Sequence, residues 1–378
     1  MDTLERKGSG FVGHHGADFM MFSDLWSQII NLQSDQDGSV FLIDWYDKNQ
    51  CHNNDVNVHD RSNGRIFKVV YNNQKTTRVD LQKLGTAELV NLQLNANDWW
   101  VRHARRILQE RGPNPEVHAA LRAMLADHPE PTRRLRALWA LHATGGLTEE
   151  IALATLKEKD EFLRAWTVQL LCENGQPSQA AVQEFGRLAK TDPSAVVRLY
   201  VASAAQRIGV EQRWEMVAAL HSRGEDSTDH NLPLMAWYAL EPLAPSDLNR
   251  TLAIALDSKL PRVLEFTARR LAGLNGGLDA LAAVLSSNDD EARQLAILNG
   301  ITTALKGQRS VVQPKGWNAA EEKLRRSGRV EIRTITQALA LTFGSSQSLD
   351  ATRLLVANTD ARPKERLAAL ESLLNVKD

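Results

Sequence analysis

The sequence predicts a mainly α protein of paired helices preceded by a small antiparallel β segment. Two contrasts carry this reading. Nine of the 22 aromatic residues fall within the first 71 of 378 positions, and past about Leu84 the apolar residues recur with a helical rather than an alternating period. A third observation is that the helical part repeats itself, with an arginine returning at nearly constant spacing.

The β segment, residues 1–75, is expected to hold three or four short strands. Ser39-Val-Phe-Leu-Ile-Asp-Trp-Tyr46 is rich in β-branched and aromatic residues and follows Asp37-Gly38, a strong turn signal. Gly64-Arg-Ile-Phe-Lys-Val-Val-Tyr71 alternates its apolar side chains with period two. Between these strands, Asp47 to Asn63 reads as a long polar loop.

Helical repeats are expected over 76–378. The second helix of each unit is the clearest: Trp100–Leu108, Leu135–Leu141, Leu163–Leu171 and Val197–Ala204 each open on an apolar residue and an arginine. Aligning Arg102, Arg136, Arg164 and Arg198 gives spacings of 34, 28 and 34 residues, the short end of the HEAT range. Weaker copies lie at Leu234–Leu240, Leu264–Leu271, Ala292–Leu298, Ile332–Leu341 and Leu367–Leu374. A HEAT-like α-solenoid of roughly nine hairpins follows. Asp98, Asp160, Asp192, Asp257 and Asp289 precede helical runs and are expected to cap them. Gly112, Gly145, Gly175, Gly209 and Gly273 follow such runs, as left-handed C-caps would.

Composition narrows the function. Lys plus Arg number 45 against 46 Asp plus Glu, a net charge of −1, which argues against nucleic acid as a partner. No run approaches the ~18 apolar residues of a membrane span. The start, Met1 to Gly10, is charged and then turn-rich, unlike a secretory signal; this fits a cytoplasmic chain or one whose own start lies upstream. Two distant cysteines, Cys51 and Cys172, exclude a disulfide scaffold and a thiolate-rich metal site.

Potential ligands crowd only in the polar loop. Asp44, Asp47, Cys51, His52, Asp55, His59 and Asp60 fall within 17 residues, with Arg61 beside them and His14 and His15 able to join if the sheet folds back. A hard cation would take the carboxylates, zinc or copper the Cys and His; the spacing matches no standard motif, and a hydrogen-bonded loop is the plainer reading. Cys51-His52 is not a haem attachment site, because Lys48 stands where the first cysteine would be. A second cluster is basic. Arg102, Arg105 and Arg106, with Arg133 and Arg134, either line a groove for an acidic partner or bond to neighbouring carbonyls and acidic caps. Trp139, Trp166 and Trp237 are expected in the core, and one of Trp99 and Trp100 on the β segment.

Gly8-Ser-Gly-Phe-Val-Gly-His-His-Gly16, Asp37 to His52 and His59 to Lys68 resemble the last blades of membrane-bound dehydrogenases whose propeller is similar to glucose and sorbosone dehydrogenases. Asp98-Trp-Trp-Val-Arg-His-Ala-Arg-Arg-Ile-Leu-Gln-Glu-Arg111, Leu138 to Leu147 and Asn231 to Leu243 resemble the HEAT-like region that follows that propeller. The resemblance implies an exported parent protein with a propeller, helical repeats and a c-type cytochrome domain, acting on sugars or polyols with PQQ or calcium as cofactor. Residues 1–71 would supply one blade and part of another, whereas closure takes at least about four, and the haem motif is missing. The chain is therefore expected to be inactive alone: a scaffold that positions redox domains or binds a protein partner. The competing expectation is a sugar or polyol oxidoreductase with part of its site on the 44–61 loop.

Overall fold

Gly38 turns the chain where the sequence marks a turn, at φ 81°, and Asp35 and Ser39 close it with an N–H to carbonyl bond of 2.8 Å. The computed structural model describes residues 2–46, 54–58, 62–72, 78–173, 175–308 and 310–376. Five strands lie before the helices: β1 (Asp2–Lys7), β2 (Gly10–His15), β3 (Ile29–Ser34), β4 (Val40–Asp44) and β5 (Arg65–Val69). β1 and β2 form one small sheet, and β3-β4-β5 an antiparallel meander. The strands at 40–44 and 65–69 fall inside the two segments that the sequence marks as strands; β1, β2 and β3 lie where it marks none, and the five exceed the three or four expected.

The chain forms two compact units, one of residues 1–6 and 11–171, the other of 7–10 and 172–378. In the first, α1 (Thr86–Asn91), α2 (Asp98–Arg111), α3 (Pro115–Asp127), α4 (Pro131–Ala143), α5 (Glu149–Thr155) and α6 (Glu161–Leu171) make three hairpins. α2, α4 and α6 pack side by side, and α1 lies against α3. Leu89, Ala104, Leu121, Leu138, Leu141 and Leu163 fill the space between them without solvent exposure.

The second unit continues with α7 (Gln179–Thr191), α8 (Ala195–Ala204), α9 (Trp214–His221), α10 (Leu232–Leu240), α11 (Leu248–Asp257) and α12 (Val263–Ala272). It ends with α13 (Gly277–Ser287), α14 (Glu291–Ala304), α15 (Trp317–Leu324), α16 (Val330–Thr342), α17 (Ser346–Ala357) and α18 (Pro363–Val376). Second helices α8, α10, α12, α14, α16 and α18 again pack in succession. Every one of the repeat copies seen in the sequence lies in a second helix. The protein is mainly α, nine hairpins among the described residues with a small antiparallel β segment before them, as a helical solenoid requires. Gly300 lets α14 press against α12: a Cβ there would sit 2.4 Å from the Glu265 carbonyl oxygen and 2.7 Å from the Ala268 Cβ.

Capping differs from the sequence expectation in detail. Asp160 does accept from Phe162 and Leu163 at 2.9 and 3.0 Å. Elsewhere the neighbour does the work: Asn97 caps α2, Ser194 caps α8 and Asp290 caps α14, while Asp98 is the first residue of α2 and Asp257 the last of α11. In each case the residue immediately before the first helical one directs its oxygen at the first-turn amides. Gly112, Gly145 and Gly175 have positive φ, but Gly209 and Gly273 do not.

The recurring arginine has a common use. Arg164 donates to the carbonyls of Glu158 and Lys159, both at 2.8 Å, and Arg198 to that of Asp192 at 2.8 Å. Arg333 repeats this on Ser327 and Gly328, at 2.7 and 3.1 Å. Each reaches back to the loop before its own helix. Arg136 instead reaches the preceding repeat, bonding the Asn95 carbonyl at 2.8 Å and Asp98 at 3.2 Å. Arg198 is almost fully buried and also holds buried Asp226, its Nε 2.6 Å from one carboxylate oxygen and its Nη2 on the other.

Two consequences can be measured. Arg198→Ala strands the Asp226 charge and the Asp192 carbonyl, and should cost about 3–5 kcal/mol in urea unfolding, whereas the Arg198→Met, Asp226→Leu double variant should recover most of that loss. Buried His221, its Nδ1–H on the Val217 carbonyl at 3.0 Å, is held near pKa 4 by desolvation against an ordinary 6.5. Because the unfolded chain takes up the proton first, His221 costs nothing above pH 6.5 and destabilises progressively as pH falls toward about 4, by up to about 3 kcal/mol. His221→Leu should flatten that slope.

Candidate functional site

Of the polar-loop candidates, Asp44 lies among the described residues; Asp47, Cys51, His52, His59, Asp60 and Arg61 lie outside them. Asp44 ends β4 with its carboxylate shielded from solvent. It accepts from the Gln28 N–H at 2.8 Å, the Tyr46 N–H at 3.2 Å and Arg65 Nε at 2.7 Å. Burial works against its charge, yet the Gln28 N–H and the Arg65 guanidinium outweigh it and hold the pKa below the usual carboxylate range. Arg65 also pairs with Asp24 at 3.3 Å and lies over the Tyr46 ring, 4.1 Å from its centroid. This carboxylate is thereby committed to a strut that ties β5 to the end of β4. Asp55 turns its own loop, accepting from the Asn57 N–H at 3.0 Å. His14 and His15 pair with Glu5 and Asp2 across the β1–β2 hairpin, at 2.8 and 3.1 Å. Among the described residues no group of three His, Cys, Asp or Glu is arranged to hold a metal ion. Cys172 is a buried free thiol whose pKa burial pushes up to about 11, which keeps it protonated at neutral pH.

The basic candidates separate into two sets. Arg133 bonds the Asn95 carbonyl at 3.3 Å and pairs with Glu130; Arg134 bonds the Leu125 carbonyl at 2.5 Å and pairs with Glu158 at 2.8 Å. Arg105 stands over Trp139, 5.4 Å from its centroid, with its pKa lowered by desolvation. These three are ties within the repeats. Arg102 and Arg106 instead line a groove of about 440 Å³, together with Leu32, Gln33 and Ser34 of β3 and Asp98, Trp99 and His103 of α2.

That groove exists because the β3–β4 turn docks on the start of α2. Asn97 Nδ2 donates to the Asp35 carbonyl at 2.9 Å and Trp100 Nε1 to the Gln36 carbonyl at 2.9 Å. Lys68 of β5 grips the same turn, its Nζ 2.9 Å from Asp35 and 3.0 Å from Asp37. Trp99 stacks on His103 at 4.1 Å between centroids, and His103 Nδ1–H donates to the Trp99 carbonyl at 2.8 Å. Trp139 and Trp166 meet edge to face at 4.9 Å, half-buried against the repeat core, and Trp237 lies 5.7 Å from Phe266. Sequence reading missed Arg65, Lys68, Asp24 and Asp35, which hold the sheet together. The signal present was the pair of cations in the second strand segment, Arg65 and Lys68, in a β segment that also carries Asp24, Asp35 and Asp37.

The resemblance segments Gly8–Gly10 and Asn231 meet within the second unit. Ser9 donates to Asp229 from its N–H and its Oγ, both at 2.7 Å, and Asn231 Nδ2 donates to Ser9 Oγ at 3.3 Å. Gly8, at φ 56°, has no room for a side chain, since a Cβ would fall 2.1 Å from Asp229 Oδ2.

Asp44→Ala should leave the Gln28 and Tyr46 amides unpaired and Arg65 held by Asp24 alone, at a cost of about 1–3 kcal/mol. Hydrogen exchange should quicken at Gln28, Tyr46 and β5, and stay unchanged in α3 to α6.

No family model matches the sequence, and no curated protein does. Among solved structures, the crystal structure of one engineered protein is 17% identical with a TM-score of 0.34, covering 78% of this chain and 99% of that one. A second engineered protein is 19% identical with a TM-score of 0.25, over 70% and 96%. Likeness at that level assigns neither fold nor function.

Proposed function

We propose that this chain is a non-catalytic scaffold, a helical-repeat body that presents its β segment to a dehydrogenase-like partner domain and so positions it. The observation that supports this is the outer face of the β3-β4-β5 meander. Ile43 and Ile66 stand opposite each other in the β4–β5 pairing, 43% and 74% exposed, and Trp45 continues the same face. A sheet face carrying bare isoleucines beside a half-exposed tryptophan is the kind of surface that another sheet covers, about 10 Å away, in stacked β architectures.

The polar strut at Asp44 and Arg65 suits this role. It fixes the sheet's geometry with groups that face away from Ile43 and Ile66, so the apolar face stays available. In the propeller-like reading the partner's blades supply substrate and cofactor sites, and the repeats supply position.

Purified chain should show no dye-linked oxidation of sugars or polyols, with or without added PQQ and calcium. Turnover by the chain alone would replace the scaffold by an oxidoreductase reading. In gel filtration, a separately produced sorbosone-dehydrogenase-type propeller domain should co-elute with the chain. Ile43→Lys, Ile66→Lys should abolish co-elution while the thermal midpoint stays within a few degrees, because Ile66 is mostly in water already and Ile43 partly so.

A further inference from the structure

The β3 edge and α2 together form a second surface, distinct from the apolar face above. β3 ends the sheet order β3-β4-β5. Gln33 stands opposite Phe41, and the Asp35 N–H bonds the Ser39 carbonyl at 2.8 Å. In an antiparallel pair the bonded residues alternate. Gln33 and Asp35 therefore spend their main-chain groups on β4, and Leu32 and Ser34 turn theirs outward, into the groove walled by α2. Such an edge is a template for one more strand.

The opposite wall is cationic. Arg102 is exposed and makes no hydrogen bond or ion pair among the described residues, and Arg106 is held only by an exposed contact with Glu110 at 3.0 Å. His103, with Nδ1–H spent on the Trp99 carbonyl, keeps Nε2 for a ligand. The one acidic lining residue, Asp98, already faces Arg136 at 3.2 Å. An unpaired guanidinium beside an unpaired strand edge sets two requirements on an occupant: extended backbone and negative charge.

We infer that this groove binds an extended acidic segment of a partner protein, which adds to the outer edge of β3 and sets its carboxylates against Arg102 and Arg106. Main-chain bonds to Leu32 and Ser34 supply the pairing, and the arginines select the charge. The inference goes beyond the scaffold reading and needs neither the apolar face nor a dehydrogenase partner.

The probe is a fluorescein-labelled peptide of alternating Glu and Val, six residues long, followed by anisotropy. Saturable binding is expected at about 50 mM salt, weakening at about 500 mM. Arg102→Glu, Arg106→Glu should reduce affinity by about tenfold or more. Ser34→Pro, which deletes an outward N–H at an edge position where proline is tolerated, should weaken binding without touching the charges. This second variant keeps the test decisive if the charge reversal disturbs folding. Ile43→Lys, Ile66→Lys should leave the peptide affinity unchanged, which separates this site from the sheet face. The inference is overturned if the peptide fails to bind, if both groove variants bind like the parent, or if an acidic peptide interrupted by prolines binds equally well. It also falls if a single-stranded oligonucleotide binds and the acidic peptide does not.

Discussion

A helical hairpin leaves carbonyls in its connecting loop that neither helix can satisfy, and stacking the hairpins buries them. In this chain long donors from the second helices meet that need. Arg164, Arg198 and Arg333 fold back over five or six residues to their own loops, and Gln294 does the same for Asn288 at 2.7 Å. Arg136 satisfies the loop of the preceding repeat. These helix pairs thus enter the stack with their loops already fixed, and their apolar stripes can close over carbonyls that have a donor. A glutamine can stand in for the arginine because the requirement is for reach and an N–H, not for charge.

The same rule joins the sheet to the first repeat. The β3–β4 turn offers the carbonyls of Asp35 and Gln36, and Asn97 and Trp100 supply the donors. Docking there places β3 alongside α2 and faces the strand edge with Arg102 and Arg106. The nearly neutral chain therefore carries a local cationic groove, a distribution invisible in the net charge. Asp44, Asp24 and Arg65 play the matching part at the other end of the meander, where a buried carboxylate is stable because three donors converge on it.

Much of this was legible from one sequence. The hydrophobic period marked every second helix, Asp37-Gly38 marked the hairpin, and the arginine spacing marked the repeat. Cap assignment was less legible: Asn97-Asp98 and Asp289-Asp290 each offer two adequate oxygens, and backbone conformation, which the sequence does not display, selects one. The basic cluster was visible as a cluster but not as two populations. Arg133 and Arg134 bond to carbonyls within the repeats, whereas Arg102 and Arg105, one turn apart on α2, meet different surroundings, the groove and the Trp139 ring, and a string of letters does not show what each side chain meets.

The sequence by itself determined the class of the fold, the position of the β segment and the reuse of one helical unit, because periodicity and turn chemistry are local properties of neighbouring residues. Tertiary structure alone decided that Asp44 serves as a strut, that Trp100 and Asn97 hold the sheet, and that Arg102 lies beside a strand edge with no partner among the described residues. Those outcomes depend on groups up to 64 residues apart competing for the same few donors and acceptors. Only a completed packing arrangement settles such a competition, because burial sets the cost of every bond left unmade.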